Sequence, residues 1–273
     1  MDALISYFSD LEKRPLERAG FFVGGMLLLL VIEQLMPLLD PHYKKTKTRH
    51  ALLNVGFTAI HFVIHTFMAV GIVFISTWTE KNNIGITRLF DFSPLAIIII
   101  TCLVLDFFAG WLCHFTEHQV PLFWRFHIIH HADNNVDVTT GLRHHPLESI
   151  WRGVFFYIGV FVSGAPMFAV LLYQTILVFM TGVTHANISL PRQLDKAISW
   201  ILVSPNMHKV HHHWKQPYTD SNYGAVFSIW DRLLGTFMKL DPSKLKYGLD
   251  QYYPNEQDEN FSALMKRPFQ KLK

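Results

Sequence analysis

The sequence predicts an all-α integral membrane protein of about four transmembrane helices, with histidine-rich, metal-binding segments beside them. Three observations predict it. Half of the residues are apolar and only 16% are charged, with 23 phenylalanines, which is too greasy for an ordinary soluble domain. Several apolar runs reach the roughly 20 residues that a bilayer core demands. Beside those runs, histidines recur at helical spacing, so that each cluster aims its imidazoles at one point.

The first span is read over Ala19 to Leu39, with Glu33 as its only charge. It is long, keeps that acid and lacks a small-residue cleavage pattern, so it does not read as a cleavable signal. The second, Ala51 to Trp78, holds no charge but carries His61 and His65. The third, Ser93 to Cys113, is interrupted only by Asp106. The fourth region, Trp151 to Val183, is too long for one span and has Gly164–Ala165–Pro166 in its middle. It reads as a helical hairpin, or as a partly embedded helix followed by a full span.

Lys44, Lys45, Lys47 and Arg49 put the loop after the first span in the cytoplasm. The histidines then lie at or near the cytoplasmic face, and Arg125, Arg143, Arg192, Lys196, Lys209 and Lys215 around them agree with that. Lys13, Arg14 and Arg18 oppose it mildly. The formal net charge of +3 is small, and no basic stripe is interleaved with aromatics, so nucleic acid is not an expected partner. The two cysteines, Cys102 and Cys113, sit roughly 16 Å apart on one helix and cannot bridge. After Asp241 the chain turns polar, with acids from Glu256 to Glu259 and then Lys266, Arg267, Lys271 and Lys273.

Nine histidines carry the chemistry. His114 and His118 form one cluster, His127, His130 and His131 a second, and His208, His211 and His212 a third; His185 stands alone at the inner end of the last span. Pro121 turns the chain, and a helix beginning at Trp124 carries the second cluster. One tetrahedral ion takes four ligands, so nine argue for two metals in one pocket. Imidazole suits zinc, iron, copper or nickel and disfavours magnesium and calcium. His145, before Pro146, reads as a bracket at a helix start more than as a ligand, and His213 points off its cluster's face. His61 and His65 are either a site in mid-membrane or a polar joint between helices.

These motifs make the chain resemble the fatty acid hydroxylase/sterol desaturase superfamily. The resemblance runs from about Asp106 to Phe237 and rests on H-x-x-x-H (114–118), H-x-x-H-H (127–131), Arg143-x-His145–Pro146-x-Glu148, His185-x-Asn187 and H-x-x-H-H (208–212). It ends on Asn222–Tyr223–Gly224 and Trp230–Asp231-x-x-x-Gly235–Thr236–Phe237. It implies about four transmembrane helices with a cytosolic helical, histidine-rich metal-binding cap, two irons held by the histidines, molecular oxygen as co-substrate, and hydroxylation or desaturation of a lipid drawn from the bilayer; zinc is a possible artefactual occupant. Members often have Arg after the first histidine of the first cluster; here Phe115 stands there. The expected division is transmembrane helices over 1–113, a catalytic region over 114–240 that includes an embedded hairpin (151–184), and a polar tail over 241–273.

Ligating imidazoles need hydrogen-bond acceptors that fix their tautomers. Asp106, Glu117, Asp137, Glu148, Asn187, Asp220, Asn222 and Asp231 are candidates, with Asp106, Asn187 and Asp231 put forward and Asp106 first, because a carboxylate inside an apolar span needs a partner. No haem or flavin segment is visible, so electrons come from a separate donor or a diffusible reductant. Within the superfamily, the alternatives include cleavage of an alkyl glycerol ether with a reduced pterin. From other classes, His114–Phe–Thr–Glu–His118 also matches an H-x-x-E-H zinc protease, and a membrane metal transporter would use the same ligand type.

Overall fold

The computed structural model describes residues 1–11, 13–38, 47–249 and 260–270. Lys44, Lys45, Glu256 to Glu259, Lys271 and Lys273 lie outside the described residues. Among the described residues every regular element is helical, and β pairing is limited to isolated bridges such as Leu202 with Phe227.

The elements are α1 (Asp2–Leu11), α2 (Pro15–Leu35), α3 (Lys47–Lys81), α4 (Pro94–Leu105), α5 (Cys113–Gln119), α6 (Pro121–His131), α7 (Pro146–Ser163) and α8 (Met167–His185). Shorter helices follow: α9 (Arg192–Ile198), α10 (Pro205–His211), α11 (Ile229–Leu233) and α12 (Phe261–Lys266). Three continuous stretches are long and apolar enough to cross a membrane: Lys47–Arg88, Pro94–Gln119 and Met167–His185. Counting Ile5–Leu11 with Leu16–Leu35, bent by 104°, makes a fourth.

Helix ends follow local chemistry. α2 stops at Leu35, four residues before the expected Leu39, because Pro37 has no N–H to continue the ladder; Met36 N–H closes it on the Ile32 carbonyl at 2.9 Å. Ser93 caps α4 by accepting from Ala96 N–H at 3.3 Å, with Pro94 in the first turn. Past Leu105 the helix continues through a π-helical stretch, Asp106–Leu112, into α5. α6 opens at Pro121 itself, not at Trp124, since proline suits a first helical turn.

The fourth region is two helices, α7 and α8, joined by a tight turn, and of the two only α8 is among the stretches long and apolar enough to cross a membrane. Gly164 takes a left-handed conformation (φ 62°) at the end of α7, where a Cβ would strike the Ile84 carbonyl. Thr87 Oγ donates to the Ser163 and Gly164 carbonyls at 2.9 and 2.8 Å, tying residues 84–88 to this turn. α3 packs along α7: Tyr157 OH donates to the Met68 carbonyl at 2.9 Å, and a side chain at Gly71 would meet the same hydroxyl. Leu105, Phe156, Val160, Val170, Tyr173 and Val226 form the core between α4, α7 and α8. α8 runs from the turn to His185, so the histidines gather at the end of the bundle opposite residues 84–88.

Buried carboxylates lock that end. Glu33 of α2 pairs with Lys47 at 2.9 Å and accepts the N–H groups of Val138 and Asn187 at 3.0 and 3.2 Å. Asp133, after α6, accepts from His50 Nε2 at 2.9 Å and from Thr140 Oγ at 2.7 Å. Burial alone would raise the Asp133 carboxyl, but His50 and Arg143 beside it hold it well below the usual range.

Candidate metal centre

The structure brings all nine histidines together, in two abutting groups. His114, His118, His127, His131 and His211 form one, and His130, His185, His208 and His212 the other; within each, the ligand nitrogens lie within 4.8 Å of one another. α5 presents two imidazoles on successive turns, α6 three, the last turn of α8 one, and α10 with its end three. The groups touch where the His131 and His212 rings stack, with centroids 4.7 Å apart, and where His127 meets His130 at 5.2 Å.

Hydrogen bonds at the ring nitrogens fix the tautomer of five of the nine imidazoles. His114 Nδ1–H donates to the Tyr223 carbonyl at 2.9 Å, His185 to Thr181 and His211 to Ser221 at 2.7 Å each. His127 donates to Glu148 Oε1 at 2.9 Å and His118 to Asp220 at 3.1 Å. A carbonyl or carboxylate oxygen only accepts, so the proton of each neutral ring sits on Nδ1 and its Nε2 is a bare lone pair. Yet His114 Nε2 and His127 Nε2 are 3.1 Å apart. His131 Nε2 lies 3.2 Å from His127 Nε2, and His185 Nε2 is 3.1 Å from both His130 and His208. In the His114–His127 pair two lone pairs face each other, and they repel unless a cation lies between them. Nitrogens bound to one ion at about 2.0–2.1 Å are separated by about 3 Å, so the spacing fits shared ligation. His118 Nε2, His211 Nε2 and both nitrogens of His212 are buried without a hydrogen-bond partner, as a ligand set requires.

Burial also keeps the rings neutral. It pushes His127 down to about 3 against the opposing pull of Glu148. Burial and then neighbouring imidazoles push His130, His131, His208, His211 and His212 well below their ordinary value. Neutral imidazole is the metal-binding form.

The acceptors differ from those put forward on sequence. Asp106 touches none of the nine rings. It accepts from Val226 N–H, Phe227 N–H and Trp230 Nε1–H, each at 3.0 Å, and from Tyr173 OH at 3.2 Å. Its partner inside the span is the 226–230 segment, which it pins to the helix. Asp231 binds Tyr223 N–H, Gly224 N–H, Trp111 Nε1–H and Thr236 Oγ–H at 2.7 to 3.1 Å, so it shapes the loop whose Tyr223 carbonyl holds His114. The backbone of Asn187 is engaged by Glu33 and Leu38. Asn222, with φ 54°, hydrogen-bonds to the Met207 and Met238 backbone, and Asp137 caps Thr139 and faces His50.

Glu148 carries more than expected: its Oε1 accepts from His127, His144 and Arg152 at 2.9, 2.7 and 2.9 Å. Arg152 was not singled out on sequence, although its i,i+4 spacing from Glu148 was a signal; its Nη2 also binds Glu117 at 2.6 Å. Glu117 therefore faces the Nδ1 side of His127, at 3.7 Å, and not the Nε2 side where a metal-bound water would lie. His145 accepts Leu147 N–H at 3.1 Å as the cap of α7, and His213 turns away to Lys246 N–H at 3.2 Å. The His61 ring lies 6.1 Å from His65 and 6.4 Å from His144, outside both groups.

The family model described as fatty acid hydroxylase matches residues 98–236, just over half of the chain and every one of the nine histidines. The chain belongs to the fatty acid hydroxylase family. Among curated relatives, it is 25% identical over 226 residues to the ornithine lipid hydroxylase OlsE of Rhizobium tropici, covering 79% of this chain and 65% of that protein. It is 34% identical over 156 residues to the alkylglycerol monooxygenase of Xenopus tropicalis, covering 55% of this chain and 32% of that one. A cholesterol 25-hydroxylase-like protein of Danio rerio is 26% identical over 136 residues, half of this chain and 53% of the relative. The matches thus span about a third to two thirds of these relatives' lengths. No solved structure matches. Membership, together with the candidate spans, makes this fatty acid hydroxylase family member a membrane protein.

Proposed function

We propose that the chain is a membrane-bound di-iron oxygenase that hydroxylates or desaturates a lipid. His114, His118, His127, His131 and His211 would hold one ion, and His130, His185, His208 and His212 the other. The observation that carries this reading is the His114–His127 contact, where two bare Nε2 atoms face each other at 3.1 Å within a cluster of possible ligand nitrogens. Bound iron would supply the oxygen activation that an unactivated C–H bond requires. In hydroxylation one oxygen atom enters the lipid and the other leaves as water, with two electrons and two protons from a separate carrier or a diffusible reductant.

The chain's own residues orient and exclude. Glu148, Asp220 and the carbonyls of Thr181, Ser221 and Tyr223 hold the rings with Nε2 inward. The chain crosses the membrane several times with the metal centre on the cytoplasmic side, a placement supported by Lys47 and Arg49 at the histidine end. His114 and His118 close the Pro94–Gln119 stretch, so a lipid reaches them from the bilayer without crossing bulk water.

The test is metal analysis of the purified protein, followed by oxygen consumption with membrane lipid extracts and lipid profiling of cells with and without it. A product carrying one added oxygen, or lacking two hydrogens, is expected. Metal-free protein, or metal-loaded protein that consumes no oxygen with any extract, sinks the reading. The alkylglycerol monooxygenase relatives favour ether cleavage as a second reading. Hydroxylation beside an ether oxygen gives a hemiacetal that collapses to an aldehyde and an alcohol, so trapping an aldehyde separates the two. A zinc protease is disfavoured by the Glu117–Arg152 pair, and a transporter by burial of all the clusters at one end of the bundle.

A further inference from the structure

Two segments outside the spanning helices meet in an exposed apolar lip. Trp200 and Ile201 follow α9, and Ile229, Leu233 and Leu234 lie on or next to α11. Trp200, Ile201 and Leu233 are each more than 60% exposed, unusual for such side chains gathered in one place. The two segments are tied together: Ser228 N–H donates to the Ile201 carbonyl at 3.1 Å, Ser228 Oγ to the Ser199 carbonyl at 2.7 Å, and Arg232 to the same carbonyl at 2.6 Å while lying 4.4 Å above the Trp200 ring.

The depth of this lip is set by the π-helical stretch that continues α4. Asp106, which binds Val226, Phe227 and Trp230, is midway along the Pro94–Gln119 stretch. The Trp230 ring packs 5.1 Å from Phe107. Eight residues separate Asp106 from His114, so the segment reaches roughly 10 Å along the span, away from the metal groups. Irregular backbone at that depth survives only when its polar groups are bound within the protein. Here Tyr223 and Gly224 N–H bind Asp231, Val226 and Phe227 N–H bind Asp106, and Val203 N–H binds the Val226 carbonyl. Arg232, with exposed Arg192 and Lys196 on the neighbouring α9, gives the lip the cationic rim of a surface that meets phosphate headgroups.

We propose that the lip formed by Trp200, Ile201, Ile229, Leu233 and Leu234 inserts into the bilayer beside α4 as a membrane-embedded element in addition to the spanning helices. Its occupant is lipid. The argument is continuity with the face of a spanning helix, together with charge. The proposal rests on the chain being a membrane protein and not on its being an oxygenase, and its readout is independent of metal and turnover.

The test uses the full chain with Ile201→Cys or Leu233→Cys labelled with a polarity-sensitive fluorophore; native Cys102 and Cys113 are buried and escape labelling. Exposed Lys215→Cys serves as the water-facing control. The proteins are placed in phosphatidylcholine–phosphatidylglycerol nanodiscs with and without lipid-borne spin labels. Blue-shifted emission and quenching at least about threefold stronger at positions 201 and 233 than at 215 are expected for apolar side chains seated in lipid. Quenching no stronger than at 215 overturns the proposal. Labels that are shielded yet not quenched by the lipid probe overturn it too, because a second copy or another protein then covers the lip.

Discussion

Glu148 takes the Nδ1–H of His127 at 2.9 Å, and both side chains are buried. The same oxygen holds His144 and Arg152, so one carboxylate fixes a ring of the first histidine group and the helix that carries it. A Gln amide oxygen accepts less strongly and brings two donors of its own. Glu148→Gln is expected to weaken metal affinity about 10–100-fold, as loss of such an outer partner does elsewhere. Chelator competition on the loaded protein measures it. Unchanged affinity would show that His127 needs no such anchor.

The two histidine groups predict separable losses. His130→Ala removes a ligand from the four-histidine group, and His114→Ala one from the five. Each single variant should fall from about two bound metals per chain toward about one, with turnover lost, and the double variant should fall further. Metal analysis by mass spectrometry reads this directly. A His130→Ala protein that inserts and keeps its full metal content contradicts its role as a ligand.

Asp106 acts on the fold. Asp106→Ala leaves four donors, Val226 N–H, Phe227 N–H, Trp230 Nε1–H and Tyr173 OH, without their acceptor. The expected cost is about 3–5 kcal/mol. A lower unfolding midpoint in detergent and faster proteolysis between residues 223 and 234 would report it.

Gly164→Ala should destabilise the protein by about 1–3 kcal/mol, because alanine at a left-handed φ is strained and its Cβ meets the Ile84 carbonyl. The turn lies at the end of the bundle away from the histidines. Metal content per folded chain should therefore stay unchanged while the thermal midpoint falls.

What could be read from sequence was local. Apolar runs marked the spans, Gly164–Ala165–Pro166 marked the turn between α7 and α8, and histidines three and four apart marked shared helix faces. What could not be read was pairing over distance. Asp106 was known to need a partner, but its donors lie about 120 residues away on backbone amides that leave no mark in the sequence. The anchors of His114, His185 and His211 are carbonyls, which every residue has, so no residue type announced them. Glu148 and Asp220 were two of the six carboxylates among the eight candidates, and only the fold chose between them.

The π-helical stretch Asp106–Leu112 sets the bearing of His114 and His118. A widened turn holds one residue more than an ordinary one, and each residue of an α-helix advances the chain by about 100° around the axis. Winding the same seven residues as a regular α-helix would turn both imidazoles by about 100°, to a different compass point from their seven companions. The winding of this stretch is therefore fixed by where the rings must look, whereas the 82–92 connection at the far end carries no such constraint from the histidines.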